Sequence, residues 1–402
     1  MVVTLLRRRK PLSVHSRENI GIKKMKILRI ITRLNVGGPA IQAINLITEL
    51  QKLGYETVLV TGISPKHEGS MDKILFKKSK SNFIVIASLV REINPKKDYY
   101  AFRALVRVIR REKPDIVHTH MAKAGLLGRA ATLWVRLFYG HRAKLIHTYH
   151  GHVFHSYFGW WKSKLFVWLE RIVGWWTDAI VVISESQRKD IVEGYKIVPK
   201  RKVRLIPLGF DLDRLLELGQ FEKKWEALRI GIIGRLTAIK NHELFFDFIK
   251  SLEKHFTVFS YVIGDGERRQ ELEKIAKEKG IRARFVGWIV YKSMPELYGN
   301  LDLIVCASKN EGTPVALIEA MAAGRLVVST PVGGVVDLIG LKQERGYYLY
   351  EDSIWITVEM LKMDLKDSYY KGKIERAREY VTKNYGLDRL VADIDNLYKK
   401  MK

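Results

Sequence analysis

From Met25 onward, short apolar runs rich in β-branched residues alternate with amphipathic segments. Runs of this length are typical of buried strands, and the apolar spacing in residues 40–53 and 101–111 is typical of helices. Strands that alternate with helices predict a parallel sheet with helices on both faces. The first series of predicted strands comprises residues 27–31, 57–60, 83–86, 116–118, 145–148, 180–183 and 203–207.

The same alternation begins again after a polar stretch and predicts a second doubly wound α/β domain. Ligands of such sheets bind beyond the carboxyl ends of the strands, so two facing domains would hold their ligands in the cleft between them. The predicted strands of this domain are 230–233, 259–263, 284–286, 303–307 and 326–329. The predicted order is an N-terminal domain at 25–208, a link at 209–226, a C-terminal domain at 227–375 and a helical tail at 376–402.

The two ends of the chain carry separate expectations. Residues 1–24 lack strand or helix periodicity and have no apolar core of a signal peptide. We expect a disordered extension or a start codon assigned too early, with a basic membrane-binding arm as the alternative. The helical tail is expected to pack on one of the domains, and the N-terminal domain is the candidate.

Composition narrows the class of protein. The chain is 47% apolar and can bury two cores, but no run is long and apolar enough to span a membrane. The single cysteine, Cys306, excludes an internal disulfide and favours a reducing, cytoplasmic compartment. The net charge of +27 is uneven, because residues 1–200 carry +22 and residues 201–402 carry only +5. The two halves are therefore expected to have different electrostatic surroundings.

One acid stands out in an apolar segment. The stretch from Val315 to Gly324 has no polar face, which predicts a buried helix, yet Glu319 lies in its middle. Thr313 suits a helix cap, and Pro314 suits the first helical position. A buried carboxylate needs a partner. Glu319 is therefore expected either to meet an Arg or Lys from elsewhere or to face a cleft and bind a ligand.

Three predicted strand ends carry groups that suit anions. Gly234 follows one strand, and Arg235 and Lys240 follow it in the same turn. The helix that begins near Thr313 offers unpaired N–H groups to a second anion. Gly37 and Gly38 follow the first strand and allow a ligand to approach the backbone closely. Full dinucleotide-binding glycine spacing is missing, so no Rossmann cofactor is predicted.

The segment from Glu311 to Gly324 resembles the Glu-x7-Glu signature of retaining glycosyltransferases of family 4, which have the GT-B fold. Six further segments occur in the order that this family has them, and the resemblance covers nearly all of residues 25–402. These segments are "NVGGPAIQAINLITELQKLGYETVLVTG", "DIVHTHMAKAGLLGRAA", "HTYHGHVF", "VVISESQRKDIV", "VRLIPLGFDLDRL" and "GIIGRLTAIKN".

The resemblance implies a role for each candidate residue. Glu319 would accept hydrogen bonds from the ribose hydroxyls of a nucleotide sugar, Glu311 would contact hydroxyls of the donor sugar, and His150 would lie near the anomeric carbon. The remaining implied contacts come from the Arg235 and Lys240 cations, which would neutralise the diphosphate, from the backbone of Gly312, Thr313 and Pro314, and from Gly37, Gly38 and Gly234.

The implied activity is transfer of a hexosyl or N-acetylhexosaminyl group from a nucleotide sugar to a glycan, lipid-linked or small-molecule acceptor. Retention would follow either a double displacement or a same-face route assisted by the leaving group. Two cations and a helix end aimed at the departing diphosphate make a metal unnecessary, so no metal or other cofactor is expected. Synthesis of a cell-surface polysaccharide or glycolipid predicts a cytoplasmic protein, peripheral on the inner face of the membrane.

Other interpretations stay open at this stage. An epimerase of nucleotide sugars shares the fold but not the Glu-x7-Glu and Arg-x4-Lys set. A basic nucleic-acid-binding protein needs an aromatic-studded module that the sequence lacks, so nucleic acid is not an expected partner. Asp211 and Asp213 resemble a metal motif but suit a solvated turn. The four histidines of two strand ends have no zinc-site spacing, which disfavours a metal cluster (His118, His120, His147 and His150).

A tryptophan-rich segment suits a membrane surface. Aromatic side chains interleaved with cations are typical of a bilayer interface, and the excess of positive charge in this half favours anionic lipid. Packing of the tryptophans in the domain core is an equally open alternative. The segment contains Trp160, Trp161, Phe166, Trp168, Trp175 and Trp176, with Lys162, Lys164 and Arg171.

Overall fold

A computed structural model of the chain describes residues 24–34, 38–64, 82–151, 160–222 and 227–402. The chain divides into two compact units. The first contains the described parts of Met1–Ile183 with Arg188–Ile206 and Leu390–Lys402, and the second contains Ser184–Gln187 and Pro207–Arg389. Each unit has its own parallel sheet.

The first unit is built on a sheet of seven described strands in the order β3-β2-β1-β4-β5-β6-β7. All of its neighbouring strands are parallel, and most positions of β1, β2 and β4 are buried, as expected when helices cover both faces. The strands are β1 (Lys26–Ile31), β2 (Glu56–Thr61), β3 (Asn82–Val85), β4 (Ile116–His120), β5 (Lys144–Thr148), β6 (Ala179–Val182) and β7 (Val203–Leu205).

Local sequence signals explain where its helices begin and end. In the second helix, the Asn94 side chain accepts a hydrogen bond from the Lys97 N–H at 2.9 Å, Pro95 occupies the first turn, and Lys113 ends the helix in a left-handed conformation. The helices of this unit are α1 (Gly38–Lys52), α2 (Pro95–Glu112), α3 (Ala122–Tyr139), α4 (Trp160–Trp175) and the C-terminal helix, which spans Leu387–Lys399 and lies mostly in this unit.

The second unit has a sheet of six described strands in the order β10-β9-β8-β11-β12-β13, again parallel throughout. Phenylalanines of the helix after β8 and aliphatic residues of the strands form its core. The strands are β8 (Leu228–Ile233), β9 (Val258–Ile263), β10 (Ala283–Gly287), β11 (Leu303–Cys306), β12 (Leu326–Ser329) and β13 (Tyr347–Tyr348).

The remaining helices follow in chain order. A short α5 (Glu185–Lys189) runs into one π-helical turn at Asp190–Gly194, and single 3₁₀ turns precede several elements. The helices are α6 (Asp213–Leu216), α7 (His242–Leu252), α8 (Arg269–Glu278), α9 (Met294–Gly299), α10 (Val315–Ala322), α11 (Val335–Ile339), α12 (Ile354–Asp367), α13 (Tyr369–Tyr385) and α14 (Leu387–Lys399).

Each sheet has a point at which the strand order reverses. In the first unit this point lies between β1 and β4, where Ile31 pairs with His120. In the second unit it lies between β8 and β11, where Ile232 pairs with Val305. Doubly wound sheets bind ligands at such switch points, beyond the carboxyl ends of the strands. The residues that follow these four strands are therefore the candidates for a site.

The predicted α/β class with two doubly wound, Rossmann-like units is confirmed. All twelve predicted strands are present, and β13 was not predicted because two residues give no periodicity. The stretch 209–226 was predicted as a link, but its described part belongs to the second unit, where Phe221 is 3% exposed in the core. Residues 390–402 of the predicted tail belong to the first unit. Residues 1–23 lie outside the described part, so nothing tests the prediction for this segment.

Candidate active site

The loop after β8 carries the two predicted cations. Its backbone is held by the turn after β9, since the Leu236 N–H donates to the Asp265 carbonyl at 3.0 Å. Gly264 has a φ of +129°, and a Cβ there would lie 1.9 Å from the Gly234 carbonyl oxygen. Only glycine fits such a close approach. The turn at 264–266 therefore supports the loop of Arg235 and Lys240.

Lys240 is paired with the first acid of the Glu-x7-Glu segment. Its Nζ lies 2.5 Å from Oε1 of Glu311, which also accepts a hydrogen bond from the Ser308 hydroxyl at 2.6 Å. Burial acts to lower the pKa of Lys240, but the attraction of the Glu311 carboxylate for the ammonium acts in the opposite direction. The net effect is a raised pKa for Lys240. The ammonium is therefore charged at neutral pH. Glu311 is fixed by a cation and a hydroxyl at the carboxyl end of β11.

A small cavity of about 10 Å³, roughly the space of one water molecule, lies between the ends of β8 and β11. Lys240, Ser308 and His242 contribute to its lining, together with Gly234. His242 is 0% exposed, and neither of its ring nitrogens has a hydrogen-bond partner among the described residues. Burial and the Lys240 charge lower the pKa of His242 to about 4, so its imidazole is neutral at pH 7. His242 was not among the predicted site residues, and its one signal in the sequence is its place two residues after Lys240.

Glu319 is held by two tyrosines rather than by a cation. It lies on α10 with 4% exposure, and Tyr298 donates to its Oε2 at 2.9 Å. Burial raises the pKa of Glu319 to about 7, although hydrogen bonds from Tyr298 and Tyr291 act against this rise. The expectation of an Arg or Lys partner was wrong. Tyr291 lies in the 3₁₀ turn before α9 and Tyr298 lies in α9, so no helical spacing in the sequence indicated this pair.

The start of α10 differs by one residue from the prediction. Pro314 takes the N-cap position and Thr313 precedes it, so the predicted Thr313 cap is wrong. The Thr313 hydroxyl is buried and has no hydrogen-bond partner in the described part of the chain, and a Cβ at Gly334 would lie 2.7 Å from it. The Gly334 N–H donates to the Gly312 carbonyl at 2.9 Å. The Leu317 N–H donates to the Pro314 carbonyl at 3.2 Å, so the amides of α10 that could meet an anion are those of Val315 and Ala316.

In the first unit, His150 follows β5 by two residues. Its Nε2 lies 3.0 Å from Nδ1 of His120, the last residue of β4. Burial, with a contribution from Arg29, lowers the pKa of His150 to about 3, so the ring is neutral. Gly38 is the first residue of α1, whereas Gly37 lies outside the described residues.

The other histidines form a packed group beside His150. The rings of His118 and His120 stack with their centres 4.4 Å apart. Burial lowers the pKa of both rings well below the usual value, and the Arg29 charge adds to the effect. In the ranges that the structure covers, no group of three or more His, Cys, Asp or Glu side chains is arranged to hold a metal. His152 and His155 fall outside these ranges.

Helix α4 presents an apolar face to solvent. Its inner side is fixed by a buried ion pair, in which Glu170 lies 2.6 Å from Arg129 of α3. On its outer side Trp168 is 56% exposed and Trp175 is 76% exposed. The exposed apolar residues of α3, of α4 and of the turn after α4, here called the aromatic face, are Trp134, Leu137, Phe138, Leu165, Trp168, Ile172, Trp175 and Trp176.

Core packing therefore does not account for the tryptophans of α4 whose side chains are described. Spacings of three and four residues place Leu165, Trp168, Ile172 and Trp175 on one helix face. The side chains of Trp160, Trp161 and Lys162 lie outside the described part. A cation lies near one edge of this surface, since the Arg110 guanidinium is 3.8 Å from the centre of the ring of Tyr139, the neighbour of Phe138 at the end of α3. Across the described residues, no helix is long and apolar enough to cross a membrane.

Comparison with solved structures identifies the class of protein. The HepE protein of Anabaena, crystallised with UDP-glucose, superimposes with a TM-score of 0.74 and 16% sequence identity, over 94% of this chain and 100% of that one. With the two parallel sheets and the residues gathered at their switch points, this likeness defines the class as the GT-B fold.

Two family models cover most of the sequence. Glycosyltransferase Family 4 matches residues 36–214, and Glycosyl transferases group 1 matches residues 227–358. The chain is a GT-B glycosyltransferase related to family 4. Both models describe glycosyltransferases, and neither describes an epimerase.

Two curated relatives are similar to this chain over most of its length. The UDP-Gal:alpha-D-GlcNAc-diphosphoundecaprenol alpha-1,3-galactosyltransferase of Escherichia coli is 24% identical over 351 residues, which is 84% of this chain and 88% of that protein. The capsular polysaccharide biosynthesis glycosyltransferase CapM of Staphylococcus aureus is 24% identical over 349 residues, which is 83% of this chain and 89% of that protein.

Proposed function

We propose that the protein transfers a sugar, with retention of configuration, from a UDP-sugar to a lipid-linked glycan acceptor. The observation that carries the proposal is the group of side chains at the β8–β11 switch point, a Lys240–Glu311 pair beside His242, whose ring has no hydrogen-bond partner among the described residues. The buried Glu319 on α10, the helix that follows β11, adds to it. The choice of UDP is supported by the complex of HepE with UDP-glucose and by the UDP-Gal donor of the Escherichia coli relative.

The proposed roles follow the charges that develop during transfer. Departure of the sugar leaves negative charge on the diphosphate, which Lys240, Arg235 and the first amides of α10 would stabilise without a metal. Glu319 would accept hydrogen bonds from the ribose hydroxyls. These are donors of the same kind as the Tyr298 and Tyr291 hydroxyls from which its carboxylate already accepts. Glu311 would bind hydroxyls of the transferred sugar while Lys240 stays beside it.

His242 adds a contact that the resemblance did not imply. A neutral imidazole has one donor and one acceptor nitrogen. Leaving both unpaired in a buried position costs free energy. A phosphate oxygen that enters the pocket would satisfy the N–H. We therefore place His242 with Lys240 among the groups that bind the diphosphate.

The experiment is a thermal-shift panel of UDP-, GDP- and ADP-sugars. A ligand at a hundred times its dissociation constant stabilises the folded protein by about 2.7 kcal/mol. UDP-sugars are expected to raise the melting temperature, and Glu319→Ala and Lys240→Ala are expected to abolish the shift. An equal response to all three nucleotides, or none, contradicts the proposed donor. Incubation with UDP-N-acetylglucosamine alone separates the epimerase, which needs no acceptor.

The aromatic face supports an acceptor held at a membrane. Tryptophan and aliphatic side chains that are exposed on adjacent helices suit the interfacial region of a bilayer. Residues 1–200 also carry +22 of the net charge, which favours anionic headgroups. Each basic residue near such a surface contributes about 1 kcal/mol, screened by salt. We infer reversible, peripheral binding to an anionic membrane, consistent with the diphosphoundecaprenol acceptor of the relative.

Co-sedimentation with vesicles tests this inference. Vesicles of phosphatidylglycerol and phosphatidylcholine should capture the wild-type chain at low salt, and phosphatidylcholine alone should capture less. Trp168→Ala with Trp175→Ala should weaken capture, because both side chains lie on the aromatic face. The control is Trp355→Ala, since Trp355 is 65% exposed on α12 in the other unit. Equal capture of all variants, or none of the wild type, contradicts the membrane inference.

A further inference from the structure

A guanidinium is buried in the first unit without a carboxylate partner among the described residues. Arg29, in the middle of β1, is 1% exposed. Its Nη2 lies 2.9 Å from Nε2 of His120, its Nη1 donates to the Tyr398 hydroxyl at 3.4 Å, and no described residue accepts from its Nε. A buried charge with only neutral partners is costly. Such an arrangement is expected where the charge has a function.

The guanidinium fixes the direction of the hydrogen bonds that start from it. Arginine has five N–H donors and no acceptor, so Nε2 of His120 must accept from Arg29. Since a neutral imidazole carries one proton, the proton of His120 is on Nδ1. This Nδ1 lies 3.0 Å from Nε2 of His150, to which it therefore donates.

The position of the proton on the next ring, that of His150, is fixed in the same way. Nε2 of His150 accepts from His120, so the proton of a neutral His150 is on Nδ1. This nitrogen is buried and has no partner among the described residues. The chain of hydrogen bonds thus begins at an obligate donor, Arg29, and ends at an N–H of His150 for which the described residues offer no acceptor.

We propose that Arg29 and His120 are positioning residues that hold His150 in the Nδ1–H tautomer, so that His150 presents a hydrogen-bond donor, and no base, to an oxygen of the bound sugar. Burial lowers the pKa of His120 and His150, which keeps both rings in the neutral form that the relay requires. The contact with sugar rests on the proposed function, whereas the tautomer does not.

The tautomer is measurable in the ligand-free protein. Two-bond ¹H–¹⁵N correlation spectra of the full chain labelled with ¹⁵N-histidine show which ring nitrogen carries the proton. The signal of His150 among the 11 histidines is identified by its absence in His150→Gln. The expected state is Nδ1–H. An Nε2–H tautomer or a doubly protonated ring at pH 7.5 overturns the proposal.

Two variants of His120 differ only in the direction of the hydrogen bond. In His120→Asn the amide nitrogen takes the place of Nδ1 and still donates to His150, while the amide oxygen can accept from Arg29. In His120→Asp a carboxylate oxygen takes that place and can only accept, so Nε2 of His150 must carry a proton, and a neutral ring then has none on Nδ1. The same spectra, recorded at a pH where this ring is neutral, verify that state. The Asp variant also gives Arg29 a counter-charge, which favours folding. If His120→Asp does not fold, Arg29→Met serves instead, since it frees His120 to adopt either tautomer and should yield a mixture at His150.

Measurements of kcat test whether sugar transfer depends on the tautomer of His150. The readout is transfer from UDP-glucose or UDP-galactose, whichever gives the larger thermal shift. Loss of one donor to a transition-state oxygen lowers kcat on the order of 10²-fold. His120→Asp should show this loss in kcat with little change in KM, and His120→Asn should stay within a few-fold of wild type. Equal kcat for the two variants overturns the donor role of His150.

A neighbouring histidine supplies the control. His147 lies on β5, three residues before His150, is 0% exposed and has its Nδ1 2.9 Å from the Thr119 hydroxyl, outside the relay. His147→Asn should leave the His150 tautomer unchanged. A changed tautomer in this variant means that any alteration of the cluster disturbs His150, and the relay is then wrong. If no UDP-sugar is transferred by any form, the proposed function fails, but the spectra still decide the tautomer.

Discussion

Glu319 is expected to release a proton when a UDP-sugar binds. Its pKa in the ligand-free protein is raised to about 7 from the usual 4.5 by burial. The proposed ribose hydroxyls are donors, which favour the ionised carboxylate and lower its pKa in the complex. Below pH 7 the free protein therefore holds a proton that the complex has lost, so binding should tighten as the pH rises towards 7 and then level off.

The magnitude follows from the size of the shift. A rise from 4.5 to about 7 corresponds to roughly 3 kcal/mol of unfavourable free energy for the ionised form. Since the folded pKa is the higher one, the contribution of Glu319 to stability is most favourable below pH 4.5 and is lost as the pH rises through 7. A ligand that fully compensates the carboxylate should release close to one proton at pH 6 and almost none at pH 8.5.

Isothermal titration calorimetry measures this release. Titrations with UDP-glucose at each pH, in two buffers of different ionisation enthalpy, give the number of protons exchanged. UDP-glucose is preferred to UDP because its diphosphate is esterified at both ends and does not titrate in this range. Glu319→Gln should bind more weakly and release no proton. The matched control is Glu296→Gln, because Glu296 is exposed on α9, the helix that carries Tyr298.

Either of two results would refute the reasoning. Absence of proton release at pH 6 in the wild type would mean that Glu319 is already ionised or stays protonated in the complex. Equal release by wild type and Glu319→Gln would place the titrating group elsewhere.

Further outcomes follow from the same site. Arg235→Ala and Lys240→Ala should each reduce kcat/KM by a factor equivalent to about 3 kcal/mol while the melting temperature of the free protein changes little; native rates in both would refute their role at the diphosphate. Transfer should survive exhaustive treatment with EDTA, and a strict requirement for magnesium or manganese would refute the metal-free mechanism. Gly334→Ala should lose the thermal shift with UDP-sugars, because its Cβ would lie 2.1 Å from the Gly312 carbonyl; an unchanged shift would show that this loop does not shape the donor pocket. Deletion of residues 1–24 should leave folding and UDP-sugar binding intact, and aggregation of the shortened chain would show that the segment belongs to the fold.

The alternation of apolar runs and amphipathic segments was sufficient to predict both sheets. Buried parallel strands are apolar on both faces, so each strand is visible as a continuous run of sequence. The ends of these apolar runs also predicted the loops that carry Gly234, Lys240 and Thr313. It was wrong by one residue at the start of α10, because the choice between Thr313 and Pro314 as the cap depends on the loop around Gly334.

The sequence by itself determined the fold class and the chemical groups at the strand ends, since both depend on neighbours along the chain. The partners of those groups depend on residues that are distant in sequence and were decided by the tertiary structure. Glu319 meets Tyr298, which lies 21 residues away, and Lys240 meets Glu311, which lies 71 residues away. Arg29 and Tyr398 are 369 residues apart, and only the packing of the last helix on the first unit brings them together. The apolar periodicity of the sequence cannot predict such contacts, because it reports only on neighbours along the chain. The contact of Arg29 with Tyr398, for example, follows from how β1, β4 and α14 pack in space.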